Sequence, residues 1–516
     1  MTTSRVSRRC LLATAAAAGA FGGSLGPSLR AARADAPEAA SLTVDRRAIE
    51  VNGKPASVFG IQREGGAPGL VLDPGERFKL TLQNKAGEQT IVHWHGQTPP
   101  PNQDGVVETG FASLIDAGGS QGYDFAARPG THWMHSHHGL QEQLLMAAPL
   151  IVRSADDLRA DAQEVVVILH DFTFRDPAEV LAGLTGQASS AQVGMMSGAG
   201  GGMGGPGMSG MSMSGMGMGG MNMGGASMGG MTMGNQAMPT SGGGMMDLND
   251  VYYDAYLAND RTLEDPLVVR TERSGRVHLR LINGATTTAF WIDLGSLSGT
   301  VTAVDGDPVR PVRGSQFPLA QGQRIDLVLD MPASGGSFPV LAQREGDRQR
   351  TGIIIASPGA AIVKVPGLAD SRMPPADLSL EQRLSALSPL PRRQPDVTHR
   401  VALTGSMRPY AWEINGRSWA DHQPLRVAKG QRVAIEMVNR SMMAHPMHLH
   451  GHHFQVVSLN GRPLAGAMRD TVLVPMHGAV TVAFDADNPG RWLFHCHNLF
   501  HMATGMMTEV AYDNAA

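Results

Sequence analysis

Two distant stretches of this 516-residue chain match each other in spacing, and this internal repeat restricts the fold more than any other feature of the sequence. Gly75 and His93 are 18 residues apart, and so are Gly430 and His448. The first copy then continues to "PGTHWMHSH" and the second to "PGRWLFHCH", aligned residue for residue. We interpret the match as one structural domain that occurs near both ends of the chain.

A third, shorter copy of the pattern lies in the middle of the chain. The three copies share a glycine turn and an alternating segment that ends in asparagine, and they read "PGERFKLTLQN", "SGRVHLRLIN" and "KGQRVAIEMVN". Period-two alternation after a glycine is typical of a half-buried β-strand. Because Gly and Pro are abundant and helical periodicity is weak, we predict an all-β chain of three β-sandwich domains. The predicted boundaries are residues 40–155, 160–365 and 398–516, with a linker over residues 366–397.

The first 34 residues are typical of a cleaved export signal. Arg8 and Arg9 precede a weakly apolar Leu/Ala/Gly run, and "ARA" at residues 32–34 offers a small-residue cleavage site. The arginine pair in "SRRCLL" favours a twin-arginine signal, read by the twin-arginine export machinery, over an ordinary secretory leader. We therefore expect a periplasmic protein whose leader is cleaved near Ala34.

The mature chain carries a net negative charge. Removing the leader takes away five arginines and no acidic residue, so the formal charge falls from −4 to −9. This balance argues against nucleic acid or an anionic membrane surface as a partner. No later apolar run is long enough to span a bilayer, so we expect no membrane association after processing. We also expect a monomer.

Four H-x-H segments, two in each long copy of the repeat, supply eight histidines. Side chains two apart on a strand point to the same face, so each segment aims two imidazoles at one point. One H-x-H is weak evidence for a metal site, whereas four pairs related by a repeat indicate a shared one. Imidazole suits copper, zinc, iron and nickel, so the spacing alone leaves the metal open. The eight residues are His93, His95, His135, His137, His448, His450, His495 and His497.

Cys496 narrows the choice of metal. It is the only cysteine outside the leader, and an exported free thiol is prone to oxidation unless a metal or burial protects it. It alternates with the two histidines of its own H-x-H segment, so its sulfur should face away from their imidazoles. His445, His501 and Met506 lie in the same part of the chain. Two histidines, a thiolate and a weak axial methionine define a blue-copper electron-transfer site.

At this point the motifs "HWHG", "HSH", "HPMHLHGHHF" and "HCHNLFHMATGM" resemble the four copper-binding motifs of the multicopper oxidases. The resemblance implies three cupredoxin-like domains in a bacterial laccase-like enzyme, with no copper in the middle domain. It implies four coppers per chain, namely a type 1 copper in the third domain and a trinuclear cluster between the first and third. Single electrons accepted at the type 1 site would reduce O2 to water at the cluster.

The resemblance also assigns each ligand by its place in the motifs. The type 1 copper is assigned to His445, Cys496, His501 and Met506. The type 2 copper is assigned to His93 and His448. The two type 3 coppers are assigned to His95, His135, His137, His450, His495 and His497.

An acidic residue near the cluster is expected, because the reduction of O2 to water consumes protons. Asp104, in "NQDGV", matches the family's acid, and an Asp-Gly turn on the surface is the alternative interpretation. Some family members carry a further acid just after the second type 1 histidine. This chain has Met502 there, which puts a proton route through that point in doubt.

A methionine-rich tract interrupts the middle domain. Sixteen of the 31 methionines fall between Met195 and Met246, in phrases such as "MSMSGMGMGGMNMGG". The tract is uncharged and almost free of aromatic residues, so it is not expected to form a packed core. Soft thioethers select Cu(I). We therefore favour a segment that collects cuprous ions over a linker whose composition has drifted.

These features lead to one hypothesis and two alternatives for function. The hypothesis is a periplasmic copper-tolerance enzyme that oxidises Cu(I), and phenols as well, with O2. Copper-tolerance members of the family can place a carboxylate and a methionine ahead of the first type 1 histidine; Met443 matches the methionine, whereas Ser441 occupies the carboxylate position. The alternatives are a general laccase or phenol oxidase and a non-catalytic copper storage or shuttle protein. Storage does not need a thiolate between cluster histidines.

Overall fold

The computed structural model describes residues 40–186 and 248–513. The predicted leader (residues 1–34) and the methionine-rich tract (residues 195–246) lie outside these ranges. Within them the chain is built mainly of strands, which form six sheets. The sheets come in three pairs that follow one another along the chain.

The first pair of sheets contains eight strands. They are β1 (Ala40–Val51), β2 (Lys54–Arg63), β3 (Leu70–Leu72), β4 (Arg77–Asn84), β5 (Val92–His93), β6 (Ser120–Ala126), β7 (Gly130–Ser136) and β8 (Ala147–Val152). One sheet has the order β2-β1-β4-β6 and the other β3-β8-β7-β5. Along β4 the side chains of Phe78, Leu80 and Leu82 are buried while Lys79 is exposed, as the alternation predicts.

The second pair of sheets contains eleven strands. They are β9 (Gln163–Phe172), β10 (Ala255–Ala258), β11 (Val268–Arg270), β12 (Arg276–Asn283), β13 (Phe290–Asp293), β14 (Gly299–Val304), β15 (Asp307–Gly314), β16 (Gln316–Leu319), β17 (Arg324–Asp330), β18 (Ser337–Arg344) and β19 (Arg350–Ala356). The sheet orders are β10-β9-β12-β17-β14-β15 and β11-β19-β18-β13-β16.

The third pair of sheets contains twelve strands. They are β20 (Val397–Met407), β21 (Tyr410–Ile414), β22 (Leu425–Val427), β23 (Arg432–Asn439), β24 (His445–Leu449), β25 (Phe454–Leu459), β26 (Arg462–Pro463), β27 (Met468–Arg469), β28 (Thr471–Val474), β29 (Ala479–Asp485), β30 (Arg491–Cys496) and β31 (Met507–Tyr512). The sheet orders are β21-β20-β23-β29-β25-β26, with β27 paired to β25, and β22-β31-β30-β24-β28.

The threefold sequence pattern corresponds to one strand position in each pair of sheets. β4, β12 and β23 each lie between a parallel neighbour (β1, β9 and β20) and an antiparallel neighbour (β6, β17 and β29). The three pairs of sheets therefore share a topology around this strand, and the middle copy is a true third copy.

The asparagine that ends each copy is a buried corner. Its side-chain oxygen accepts the backbone N–H two residues further on, at 3.0 Å for Asn84, 3.0 Å for Asn283 and 2.9 Å for Asn439. Its side-chain nitrogen donates to backbone carbonyls of other segments. Asparagine suits this place because one side chain both closes a local turn and satisfies buried carbonyls.

Helices are short in the described chain. They are α1 (Ala155–Arg159), α2 (Pro177–Thr185) and α3 (Leu499–Ala503), and single 3-10 turns lie at Pro101–Gln103, Gln141–Leu144, Glu381–Arg383 and Trp419–Asp421. α2 begins after the N-cap Asp176 with Pro177 in its first turn and ends at Gly186 in the left-handed conformation. None of the helices in residues 40–186 and 248–513 has the length and hydropathy needed to cross a membrane.

The predicted linker is packed against the domains. Leu378, Leu380 and Leu384 are buried in the same core as the second and third pairs of sheets. Glu381, also buried, forms an ion pair with Arg469 of β27. The linker thereby contributes to the core and does not simply join two domains.

The core of the first pair of sheets is tested by a matched pair of leucine truncations. Leu82 is fully buried on β4, whereas Leu368 is 54% exposed. We expect Leu82→Ala to lower the free energy of unfolding by about 2–5 kcal/mol, because it removes apolar contacts and leaves a cavity. Leu368→Ala should change it by less than about 0.5 kcal/mol. Denaturant unfolding of the metal-free protein measures both, and equal effects would contradict this account of the core.

Candidate metal centres

The first histidine of each H-x-H segment lies on one of two paired strands, and the second follows just after the end of the strand. His93 on β5 is the register partner of His135 on β7, and His448 on β24 is the register partner of His495 on β30. The same pairing in the first and third pairs of sheets explains why the two long repeats carry histidines at equal spacing. Each pair of strands presents its imidazoles on one face, as the two-residue period requires.

All eight histidines of these segments meet at one place between the first and third pairs of sheets. Each is at most 4% exposed. Their ligand atoms fall into three sets, each within 4.8 Å of one another: His95, His135 and His497; His137, His450 and His495; and His93, His95 and His448. Among the described residues, the middle pair of sheets contributes no side chain to these sets.

The outer ring nitrogens of several histidines are held by the protein. Nδ1 of His93 donates to the carbonyl of Asp104 at 2.8 Å, and Nδ1 of His448 donates to the carbonyl of Asp470 at 2.9 Å. Nδ1 of His450 donates to the carboxylate of Asp104 at 2.8 Å. A ring nitrogen that donates in this way leaves a lone pair on Nε2, which points inwards.

The inward nitrogens face one another. Nε2 of His450 lies 3.0 Å from Nε2 of His495, and Nε2 of His93 lies 3.5 Å from Nε2 of His448. Other buried ring nitrogens have no hydrogen-bond partner in the described chain, and these are Nδ1 of His95 and Nε2 of His135, His137 and His497. Converging imidazole lone pairs form a donor set for a metal cation, so these residues fit copper.

Burial keeps most of these rings neutral, which is the form that binds a metal. It lowers the pKa of His497 to about 3. It lowers the pKa well below the ordinary value for His95, His135, His448, His450 and His495. Burial acts on His137 too, but the carboxylate of Glu108, 3.6 Å from Nδ1, outweighs it and raises the pKa of that ring.

A second site lies on the other face of β30. Sγ of Cys496 is 3.6 Å from Nδ1 of His445 and 3.6 Å from Nδ1 of His501, and these two nitrogens are 3.2 Å apart. All three residues are fully buried. Burial raises the pKa of the thiol, so a thiolate at this place needs a cation beside it. Met506 is fully buried and its carbonyl accepts the N–H of Cys496 at 3.1 Å.

The outer nitrogens of the two histidines in this second site meet different partners. Nε2 of His445 is 2.7 Å from Oγ of Ser441. Nε2 of His501 is 3.2 Å from the carboxylate of Asp250, which also accepts from the side chain of Asn498 at 2.7 Å. Asp250 lies just after the methionine-rich tract in the chain, and sequence reasoning missed it because a lone acid outside every motif carries no signal.

The two sites are joined covalently through Cys496. Its chain neighbours, His495 and His497, belong to two of the three histidine sets, and its carbonyl accepts from Nδ1 of His495 at 3.0 Å. The backbone N–H of Asn498 points to Sγ at 3.5 Å. An electron leaving the sulfur therefore has a short covalent path to either neighbouring imidazole.

Asp104 is buried beside the histidines. It is 1% exposed, its carboxylate contacts His450, and its second carboxylate oxygen lies 3.3 Å from Nδ1 of His93. Its ligand atoms also form a set with those two histidines within 4.8 Å. The structure therefore excludes the alternative of an Asp-Gly turn on the surface.

Glu142 is a second buried acid near the histidines that sequence reasoning missed. Its carboxylate lies 3.0 Å from Nδ1 of His135, and burial raises its pKa to about 7. It borders a small cleft together with Met502, the residue that stands where some family members carry an acid. The acid next to Met502 is therefore Glu142, which belongs to the turn Gln141–Leu144 between β7 and β8 of the first pair of sheets. A glutamate five residues after "HSH", inside "QEQ", was the available signal.

A cavity of about 230 Å³ adjoins the second site. Three methionines line it, Met442, Met443 and Met476, and Asn498 connects its wall to Cys496. Leu248, the first described residue after the tract, also lines it. Only Met443 was anticipated from the sequence.

Comparison with known proteins agrees with this geometry. Three family models, each described as multicopper oxidase, match residues 43–157, 164–361 and 392–516. The chain is 30% identical over 486 residues to multicopper oxidase MmcO of Mycobacterium tuberculosis (92% of this chain and 86% of that protein). It is 26% identical over 627 residues to copper resistance protein A of Pseudomonas syringae pv. tomato (99% of this chain and 100% of that protein).

Solved structures confirm the predicted fold of three cupredoxin-like β-sandwich domains. Fet3p, described as a multicopper oxidase that functions in iron import, superposes with a TM-score of 0.70 at 17% identity, over 92% of this chain and 90% of that one. A laccase from Botrytis aclada gives a TM-score of 0.69 at 19% identity, over 91% and 87%. With the family models and the relatives above, these findings place the chain in the multicopper oxidase family, whose members are oxidoreductases that use O2.

Proposed function

We propose that this multicopper oxidase is a cuprous oxidase of copper tolerance, which couples one-electron oxidation of Cu(I) to the four-electron reduction of O2 to water. The observation that carries the proposal is the methionine-lined cavity, whose wall includes Ala444, the chain neighbour of His445, and Asn498, whose N–H points to Sγ of Cys496. Thioether sulfurs bind Cu(I) in preference to harder cations. Glu345 and Asp377, which also line the cavity, supply oxygen donors for a cation that has lost its electron.

The ligand assignment in this proposal follows the motifs and is supported by the grouping of donor atoms. His445, Cys496 and His501, with Met506, would hold the type 1 copper. His93 and His448 would hold the type 2 copper, and the sets His95/His135/His497 and His137/His450/His495 would hold the type 3 pair. When bound, these four coppers supply the redox chemistry, storing electrons one at a time and passing them to O2.

The protein's own groups arrange that chemistry. Cys496 links the two sites through its neighbours, and the buried side chains around it exclude water from that path. Asp104 holds the ring of His450 through its carboxylate and the ring of His93 through its carbonyl. Such outer hydrogen bonds fix the orientation of a ligand imidazole before the metal arrives.

The place of action in the cell is also part of the proposal. Relatives named copper resistance protein A, at 26% identity in Pseudomonas syringae pv. tomato and in Escherichia coli, support a role in copper tolerance. The arginine pair and the "ARA" site support export to the periplasm by the twin-arginine machinery. The tract of residues 195–246 would bring Cu(I) to the cavity, since its last methionine, Met246, precedes Leu248 by two residues in the sequence.

A phenol oxidase is the second candidate. Relatives named laccase at about a quarter identity support it, for example laccase-2 of Podospora anserina at 25% over 534 residues. The carboxylate of Asp250 against His501 also favours it, because a buried carboxylate near the type 1 site can accept a phenol proton as the electron leaves. Copper storage without catalysis is the third interpretation, and it predicts no uptake of O2.

The type 1 assignment is tested by Cys496→Ser. We expect loss of the blue absorption and of oxidase activity toward every reductant, because the hydroxyl does not replace a thiolate as ligand or as path to the cluster. Optical spectra, copper content and O2 consumption measure this outcome. Retained O2 consumption at the wild-type rate would contradict the electron path through Cys496.

The role of the tract is tested by deleting residues 195–246. We expect Cu(I) turnover to fall far more than phenol turnover, because only Cu(I) uses the thioethers. A full-length variant with the sixteen methionines of the tract changed to serine separates composition from length. Equal loss of both activities in the serine variant would refute the cuprous role of the tract.

The cavity is tested by Met443→Leu, which keeps the side-chain volume and removes the sulfur. We expect a higher KM for Cu(I) with little change for a phenol. Met331→Leu is the matched control, because Met331 is similarly buried, at 4% against 5% exposed, and directly follows β17, away from the cavity. A KM for Cu(I) that is the same in both variants would remove Met443 from the substrate site.

A further inference from the structure

Arg324, at the start of β17 in the middle pair of sheets, is fully buried at the junction of all three pairs of sheets. Its guanidinium forms a two-pronged pair with Asp470, with Nη1 to Oδ1 at 2.7 Å and Nη2 to Oδ2 at 2.5 Å. Its Nε donates to the carbonyl of Thr131 on β7 at 3.1 Å. A single side chain of the middle pair thus bonds to the first pair and to the third.

Asp470 and its neighbour Thr471 in turn hold two cluster histidines. Oδ1 of Asp470 and Oγ of Thr471 lie 3.0 and 3.1 Å from Nε2 of His95. The carbonyl of Asp470 and the same hydroxyl lie 2.9 and 3.1 Å from Nδ1 of His448. One dipeptide therefore sets the orientation of an imidazole from each half of the cluster.

The carboxylate of Asp470 also decides which nitrogen of His95 faces the cluster. An ionised carboxylate only accepts hydrogen bonds, so Nε2 of His95 must carry the hydrogen. Nδ1 is then the lone-pair nitrogen, and it is the buried nitrogen that has no partner in the described chain. This orientation is opposite to that of His93 and His450, whose Nδ1 atoms point outwards.

Arg324 supplies the counter-charge to the buried carboxylate of Asp470. Its guanidinium contacts both carboxylate oxygens, so it fixes the plane of the group that orients His95. The bidentate geometry is specific to arginine, since a lysine ammonium is a point charge without the planar fork.

The backbone of the middle pair of sheets also packs closely against two cluster histidines, His95 and His497. A Cβ added to Gly322 would lie 2.9 Å from the ring of His497 and 3.2 Å from the ring of His95. The carbonyl of Gly322 accepts from Nη1 of Arg324 at 2.9 Å. Because Gly322 has no side chain, its turn can approach the rings of His95 and His497, and Arg324 holds the turn in place through the carbonyl of Gly322.

We infer that Arg324 is a positioning residue for the trinuclear cluster, acting through Asp470 and Thr471 on His95 and His448. The domain that supplies no ligand thereby assembles the ligands of the other two. The inference rests on the copper assignment of the proposed function, because it concerns how the proposed ligands are oriented. It predicts an effect on cluster copper and none on the type 1 copper, which Arg324 does not touch among the contacts of the described residues.

The test is Arg324→Lys, which keeps the charge and removes the fork. We expect retention of the cluster copper to weaken by about 10- to 100-fold, the usual cost of losing an outer partner of a metal ligand. The blue absorption of the type 1 site should persist. Copper per chain, the type 2 electron paramagnetic resonance signal relative to the type 1 signal, and thermal unfolding of the metal-free protein are measured together.

Arg280→Lys is the matched control. Arg280 is also buried, and it bonds Asp326 at 2.9 Å and Thr131 at 2.9 Å across the same junction. Among the described residues, neither the carboxylate of Asp326 nor the hydroxyl of Thr131 hydrogen-bonds to a cluster histidine. We expect it to lower the unfolding temperature and to leave the ratio of type 2 to type 1 signal unchanged.

The outcomes separate this inference from the proposed function. A wild-type protein without a type 2 signal would overturn the copper assignment, and the inference with it. A loaded wild type with an equally loaded Arg324→Lys variant, or equal losses in Arg324→Lys and Arg280→Lys, would overturn the inference alone. If Arg324→Lys does not fold, Thr471→Val replaces it, since it removes only the hydroxyl shared by both rings, and the same losses are expected.

Discussion

Eight imidazoles direct their lone pairs into one buried space. This arrangement is stable only when a positive charge lies among the lone pairs. The Nε2 atoms of His450 and His495 are 3.0 Å apart, and the outer nitrogen of each ring already donates to a protein oxygen. Burial lowers the pKa of both rings, so a proton is a poor source of that charge. Each unsatisfied buried polar atom costs about 1–3 kcal/mol. The fold is therefore complementary to a bound metal cation.

The repeated topology explains how such a site arises from strands. Each copy of the repeated strand lies between a parallel and an antiparallel neighbour and ends in a buried asparagine corner. The chain leaves that corner for a short strand that carries the first H-x-H segment in the first and third copies. Two equivalent faces, one from each end of the chain, then meet with their histidines opposed. The middle copy completes the junction, because its Arg324 bonds to Thr131 of the first pair of sheets and to Asp470 of the third.

Much of this site could be predicted because its residues stand in short motifs. Strand period places His93 and His95 on one face, and alternation places Cys496 on the face opposite His495, so both sites follow from spacing. Of the carboxylates around them, Asp104 was indicated by its motif, whereas Asp250 and Glu142 were not predicted. Asp250 contacts His501 and Glu142 contacts His135 through tertiary packing. The sequence separation between each acid and its histidine follows no strand or helix periodicity.

Asp470 shows where a signal existed and was weak. It stands with Arg469 directly before the apolar strand "TVLV", and a charged residue that is buried is usually paired. The partner, Arg324, is 146 residues away in another domain, and no local pattern joins the two. Long-range pairs of this kind depend on how the domains dock, which hydrophobic patterning does not specify.

The two histidines of the second site differ in what lies behind them, and this difference bears on how electrons enter. Behind His445 stands a neutral hydroxyl, and behind His501 stands a carboxylate. The carboxylate belongs to the segment that resumes at Leu248, and Leu248 itself lines the methionine cavity. Leu248 therefore places the start of this segment at the cavity, and Asp250, two residues later, lies against His501. Under the proposed function, Cu(I) bound by the methionines of the cavity would lie near Asn498, whose backbone N–H points to Sγ of Cys496. The three thioethers that line the cavity thereby support the proposed metal-ion substrate at this entrance.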